Sequence, residues 1–292
     1  MMKYGCQSMV EEIEAILIKR PQEAFINQEN LNNTWEEFKY FGCPDYETVL
    51  KEYEVFEKII RDNVKDVYTL PYDSKTGLDS IYAHDPLKIT RKGAIYFPMG
   101  KVLRGKEYLA TKEYLEKIGI PTLGEIKAPG KMEGGDVLWI DEKTVAIGRG
   151  YRTNDEGIRQ FKELTKEVVD EYIIVPMPHG DGVDACLHLM SIISFVDYDK
   201  AVVYSKYMPV FFREYLMEKG ITLVEADDDE YDYLGTNLLA LKPGKVVLIK
   251  GCPKIQKKLE ELGVEVLTYE GKELSYRGTG GPTCLTAPLL RK

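Results

Sequence analysis

The sequence predicts an α/β fold built as a closed ring of five strand-helix-strand units, and three observations predict it. One grammar recurs along the chain: a short β-rich run, a turn-rich connector, an amphipathic helix and a second short strand. Gly119, Gly220 and Gly263 stand just past three of the helices, where a left-handed residue ends a helix without steric cost. There is no G-x-G-x-x-G turn of the kind that marks an open doubly wound sheet, and the helices are separated by paired short strands that favour antiparallel hairpins. One such unit cannot bury both faces, so each is expected to pack against its neighbours around an axis.

The first unit is split. Residues 13–18 form its β run, 46–61 its helix and 67–70 its closing strand, with a long insertion at 21–45 between the first two. The second unit reads as strand 93–97, helix 106–118 and strand 120–123. Its helix is supported by the apolar spacing of Leu109, Tyr114, Leu115 and Ile118. The third follows as 144–147, 154–169 and 172–175, the fourth as 200–204, 209–219 and 221–224, and the fifth as 245–249, 253–262 and 264–267. The whole chain, 1–292, is expected to form one domain. The insertion carries Trp35, Phe38, Tyr40 and Phe41, and is expected either to close over a cleft as a lid or to pack as a wall on the neighbouring unit.

Composition narrows the function. The 292 residues carry 39 Lys and Arg against 48 Asp and Glu, a net charge of -9, which excludes a basic nucleic-acid binder. The 44% hydrophobic content suffices for a large core. The longest apolar stretches, 173–177 and 187–196, fall short of the roughly 20 residues of a membrane span. Glu11, Glu12 and Glu14 interrupt any secretory leader, so a cytoplasmic protein is expected. Five cysteines, Cys6, Cys43, Cys186, Cys252 and Cys284, form no CxxC pair, which argues against a disulfide framework or a zinc site and leaves at least one free thiol.

A polar residue precedes the hairpin of each unit: Asp85, Glu133, His188 and Asn237. Cys284 takes the corresponding place for the split unit if the C-terminus returns beside the first strand. Taken singly, Cys284 reads as an inert buried thiol, His188 as a core histidine, Glu133-Gly134-Gly135-Asp136 as a tight turn and Asp85-Pro86 as a turn start. In equivalent positions of a ring they converge on one axial site. A thiol, a histidine and carboxylates together suit nucleophilic attack on an electrophilic carbon with proton shuttling. Extra carboxylates beside the nucleophile suit a planar cation, since Asp or Glu pairs bidentately with a guanidinium.

The sequence resembles the guanidino-modifying enzymes of the pentein fold: arginine deiminases, amidinotransferases and dimethylarginine dimethylaminohydrolases. The resemblance covers nearly the whole chain. It runs through Tyr4-Gly5-Cys6-Gln7-Ser8-Met9 with Lys19-Arg20-Pro21, Asp79 to Asp85-Pro86, Arg104-Gly105-Lys106-Glu107, Glu133-Gly134-Gly135-Asp136, Tyr151-Arg152-Thr153-Asn154, Leu187-His188-Leu189 and Gly280-Gly281-Pro282-Thr283-Cys284-Leu285. It implies a five-bladed, pseudo-symmetric α/β propeller, in agreement with the five repeats. It further implies Cys284 as nucleophile, His188 as general acid and base, Glu133 as the carboxylate orienting His188 and touching the guanidinium, and Asp85 as guanidinium anchor. Asp79 is implied to hold the substrate α-ammonium, and Arg104 and Arg152 its α-carboxylate. No metal or organic cofactor is implied. The partner is a small guanidino compound, with neither nucleic acid nor membrane, and a homodimer fits the family's habit.

Two positions depart from the family pattern. Deiminases and amidinotransferases carry an Asp two residues after the histidine, and this chain has Met190, which cannot pair with an N–H but can face methyl groups. Dimethylargininases usually carry a Glu where this chain has His84. The favoured activity is hydrolysis of dimethylarginine to citrulline and dimethylamine through a covalent thiouronium. The alternatives are arginine deiminase or dihydrolase activity, amidino transfer, and a non-catalytic propeller such as a ribosome anti-association factor.

Overall fold

Five three-stranded sheets carry the chain in a computed structural model that describes residues 2–183 and 185–292. The first blade holds β1 (Ile13–Ile18), the insertion helices α1 (Pro21–Ala24) and α2 (Gln28–Thr34), then α3 (Tyr46–Asn63) and β2 (Asp66–Thr69). The second comprises β3 (Leu87–Thr90), β4 (Gly93–Tyr96), α4 (Glu107–Lys117) and β5 (Thr122–Glu125). The third has β6 (Val137–Trp139), β7 (Thr144–Arg149), α5 (Asp155–Thr165) and β8 (Glu171–Pro176). The fourth has β9 (Ile193–Asp197), β10 (Lys200–Val203), α6 (Val210–Glu218) and β11 (Thr222–Glu225), followed by the short α7 (Asp228–Asp232). The fifth has β12 (Leu239–Lys242), β13 (Lys245–Ile249), α8 (Pro253–Glu261) and β14 (Glu265–Tyr269). The last strand, β15 (Thr286–Arg291), pairs antiparallel with β1 and completes the first blade.

Every blade repeats one pairing. An inner strand pairs antiparallel with the central strand, as a hairpin in all blades but the first, for example β3 with β4 and β6 with β7. The central strand then pairs in parallel with the strand reached through the helix, as in β4 with β5 and β13 with β14. The parallel partner is the one that needs a helical crossover, and the hairpin partner the one that needs only a turn. Central strands are buried along nearly their whole length, as in the fully buried β4, because both faces are covered. The predicted glycines end α4, α6 and α8 at left-handed φ values of 95°, 78° and 81°. At the other end, the Asp45 and Asn154 side chains accept from Thr48 N and Gly157 N to cap α3 and α5.

One predicted boundary moves. The helix predicted to Val169 ends at Thr165, and Val168 and Val169 turn inward into the core beside Phe161. Tertiary burial of the two valines outweighs another helical turn. The insertion buries Phe25, Leu31, Phe38 and Tyr40 in the main core, with Phe25 and Tyr40 edge to face at 6.2 Å, while Phe41 is exposed. Among the described residues, no helix is long and apolar enough to cross a membrane.

Candidate active site

The loops that lead into the five inner strands meet at one end of the ring, and a continuous circuit of hydrogen bonds joins them. Gly134 N donates to Asp85 O at 2.8 Å and Gly135 N to Asp85 Oδ1 at 3.2 Å, linking the second and third blades. Leu189 N donates to Asp136 Oδ1 at 2.9 Å, and Thr236 Oγ1 to Ser191 O at 2.6 Å. Thr283 N donates to Asn237 Oδ1 at 3.1 Å, and His84 N to Cys284 O at 3.2 Å, which returns the circuit to the second blade. The residues predicted from equivalent repeat positions therefore lie on neighbouring loops.

His188 and Glu133 form the tightest contact. His188 Nε2 donates to Glu133 Oε2 at 2.6 Å, and both side chains are buried. Glu133 Oε1 also accepts from Gly100 N at 2.7 Å and from an Arg152 Nη at 3.3 Å. Burial by itself would raise the Glu133 carboxyl, but the hydrogen bond and charge of His188, with Arg152 behind it, bring it down to about 2. Burial would lower His188, but the neighbouring Cys186 sulfur and Glu133 carboxylate raise it well above its ordinary 6.5. The pair is thus an imidazolium on a carboxylate.

Cys284 is half-buried, and its sulfur accepts from Asn237 Nδ2 at 3.0 Å. Burial, reinforced by the charge of Asp85, pushes the thiol up to about 12; the Asn237 donor and His188 pull the other way. No hydrogen bond joins Cys284 to His188, whose Nδ1 instead lies 3.7 Å from Cys186 Sγ. The thiol and the imidazole thus stand on separate loops, each with its own partner. Gly135 is required beneath the ring: a Cβ there would stand 2.5 Å from His188 Nδ1.

The other predicted contacts are engaged with protein partners. Asp85 Oδ2 accepts from Arg104 Nη1 at 2.7 Å, and this guanidinium overcomes burial and holds the carboxyl well below the usual range. Arg104, predicted to grip a substrate carboxylate, is buried and surrounded by acceptors. Besides Asp85 it serves the Glu107 carboxylate at 2.8 Å and the carbonyl oxygens of Asp79 and Tyr82. Its fork is turned inward because buried carboxylates compete for it. Asp79 pairs with Lys101 Nζ at 2.5 Å, and Lys101 also donates to Phe38 O of the insertion at 2.7 Å. His84, expected at the substrate, meets protein partners: its Nδ1 donates to Thr286 O at 3.1 Å and its Nε2 meets Lys88 Nζ at 2.7 Å. Met190 is buried in the main core beside Leu189.

Sequence reasoning passed over three residues that the structure places at the site. Asp136 joins two loops, accepting from Leu189 N and, at 2.6 Å, from Thr153 Oγ1; burial pushes it up to about 6. Cys186 stands beside the imidazole, and Glu107 holds Arg104. The i, i+2 spacing of Cys186 and His188 was the one available signal. Among the described residues no group of three or more His, Cys, Asp or Glu is arranged to hold a metal ion.

Comparison with known proteins identifies the family. A family model of arginine deiminases matches residues 78–215 and 208–291. An arginine deiminase of Mycobacterium marinum is 31% identical over 193 residues, 55% of this chain and 46% of the relative, so the chain spans about half the length of the deiminases it matches. The N(G),N(G)-dimethylarginine dimethylaminohydrolase of Pseudomonas aeruginosa is 23% identical over 250 residues, 85% of this chain and 91% of the relative. A structure of that organism's enzyme complexed with citrulline superposes with a TM-score of 0.76 at 21% identity, covering 94% of this chain and 99% of that one. An amidinotransferase of Microseira wollei, from a saxitoxin biosynthetic pathway, gives 0.79 at 15% identity, over 100% and 98% of the two chains. Five blades of one pairing, closed by β15 on β1, are the pentein propeller, and with most of its length matched the chain belongs to the arginine deiminase family of guanidino-modifying enzymes.

Proposed function

We propose that this protein is a cysteine hydrolase that converts an N-methylated arginine, foremost dimethylarginine, to citrulline and dimethylamine. The observation that carries the reading is the placement of Cys284, the His188–Glu133 pair and Asp85 on adjoining loops of one ring. Asp85, held ionised and oriented by Arg104 and Gly135 N, retains lone pairs for a guanidinium. As the cation arrives the Cys284 thiol loses its proton to solvent, and the cation stabilises the thiolate that burial otherwise disfavours. The thiolate attacks the guanidinium carbon and His188 gives its proton to the departing dimethylamine, leaving a thiouronium on sulfur. His188 then takes a proton from water, the hydroxide adds to the same carbon, and collapse expels the thiolate and leaves citrulline.

Asp79 and Arg152 are the proposed contacts for the α-ammonium and α-carboxylate; the substrate would exchange with Lys101 and Glu133 for them. Arg104 is assigned to organising Asp85. Met190 supports the methylated substrate by offering no acceptor where the deiminases offer Asp. The P. aeruginosa relative, named for dimethylarginine hydrolysis over most of both chains, supports the same choice.

The test is a mass-spectrometric product assay with asymmetric dimethylarginine, monomethylarginine and arginine, each with and without glycine. Citrulline with dimethylamine is expected, and Cys284→Ser abolishes it while the melting temperature is kept. Ammonia released from arginine alone would overturn the specificity, and a guanidino-glycine product would make the protein a transferase.

A further inference from the structure

Behind the nucleophile loop, on the axis of the ring, lies a cavity of about 30 Å³. Each blade's inner strand lines it: Leu87 and Ile89, Trp139, Phe195, Leu239 and Ala287. The volume admits only one or two occupants of water size. We infer that this cavity is a binding site for a small inorganic anion of the halide class, held by Lys88, Arg291 and the Trp139 indole N–H.

Its charge is one-sided. Lys88 and Arg291 line it, both buried, and among the described residues no Asp or Glu does. The hydrogen bond of Lys88 goes to His84 Nε2, which is an acceptor because Nδ1 donates to Thr286 O. His84 is neutral: burial, with Lys88 beside it, brings it down to about 3. Lys88 therefore meets a dipole and no counter-charge there. A buried cation whose hydrogen bond goes to a neutral group is costly; burial lowers Lys88 to about 8, with the Cys6 sulfur and the Asp85 carboxylate pulling the other way from outside that hydrogen bond.

The donors are also in excess. Trp139 Nε1 and Arg291 Nε are buried and have no hydrogen-bond partner among the described residues, while Arg291 Nη1 is spent on Glu11 O at 2.5 Å. Unpartnered N–H groups around a positive cavity call for an acceptor that carries negative charge. The volume excludes a phosphate and suits a monatomic anion best. Water offers an acceptor without the charge, and the Cys6 sulfur, which also lines the cavity, is the rival acceptor. Thr283 and Ala287 face the cavity from either side of Cys284, so an occupant supports the loop that presents the nucleophile.

The experiment follows thermal unfolding of the whole protein at pH 7 in sodium bromide against sodium gluconate at equal ionic strength, with bromide located by anomalous diffraction. The expected result is a saturable rise in Tm with bromide alone and an anomalous peak beside Trp139 Nε1. Trp139→Phe, which removes the donor and keeps a ring, should raise the half-saturating bromide concentration about tenfold. Equal responses to bromide and gluconate, or a peak seen only at molar bromide with no Tm shift, would overturn the proposal. A bromide response seen only in Cys6→Ser would overturn it equally, by giving the acceptor role to the sulfur.

Discussion

Cys284 meets conflicting influences from its neighbours. Burial and Asp85 hold its thiol near 12, while Asn237 and His188 act in the opposite direction. The ultraviolet thiolate absorbance of the parent minus that of Cys284→Ser should therefore show no step through neutral pH without substrate; a step near pH 7 would sink this reading. Asn237 donates to the sulfur and accepts from Thr283 N. Asn237→Ala should cost about 10- to 100-fold in kcat/KM, the worth of a hydrogen bond to a charged group, with little change in KM. The His188–Glu133 pair has a pH signature. His188 is raised, so its share of stability is full below 6.5 and is lost as pH climbs through the raised value. Glu133 is lowered, so its share is present above 4.5 and is lost as pH falls towards about 2. Denaturation of Glu133→Gln across pH should show the largest deficit between 4.5 and 6.5, about 3–5 kcal/mol for breaking a buried pair. The identity of these residues was legible from their repeat positions, but the direction of their side chains was not. Arg104 and His84 turn to Glu107 and Lys88, three and four residues further along the chain, because the fold buries each pair together.

Short elements decide where these side chains stand. The turn at Gly134 and Gly135 leads into β6 against two other blades, and a Cβ on Gly134 would come within 2.3 Å of His84 O. Gly135→Ala should displace His188 and remove activity while circular dichroism stays unchanged; retained activity would show that the imidazole tolerates the shift. The insertion acts at the same scale. Phe38 is buried, and the Lys101 ammonium lies 5.2 Å from its ring centroid. Phe38→Ala should lower stability by about 3–5 kcal/mol and also free Lys101. If the segment moves as a lid, a stability loss much smaller than this is what chemical denaturation would read. The helices were legible because amphipathic spacing and a closing glycine mark both face and end. The inner strands were harder: β3, β6 and β12 are four residues or fewer and wholly or almost wholly buried, with no alternation to read.

The ring as a whole depends on its closure. β15 pairs with β1 from Ile13 against Arg291 to Ile18 against Thr286, so the last strand of the chain fastens the first. Removing residues 286–292 keeps Cys284 yet leaves β1 an open edge. Such a chain should lose cooperative unfolding and associate, because an unpaired strand is a template for another. The five-fold repeat was visible in the sequence because each unit restates the same local pattern. The pairing scheme, hairpin first and parallel crossover second, and the hydrogen-bond circuit around the axis emerge only when the units face one another. The central claim is that a thiouronium forms on Cys284, and acid quench of the enzyme during turnover of dimethylarginine, followed by intact-protein mass spectrometry and peptide mapping, tests it most directly. The expected result is a covalent adduct on the Cys284 peptide that disappears as substrate is exhausted and never forms on Cys284→Ser; turnover without any adduct, or an adduct that persists in the serine variant, would contradict it.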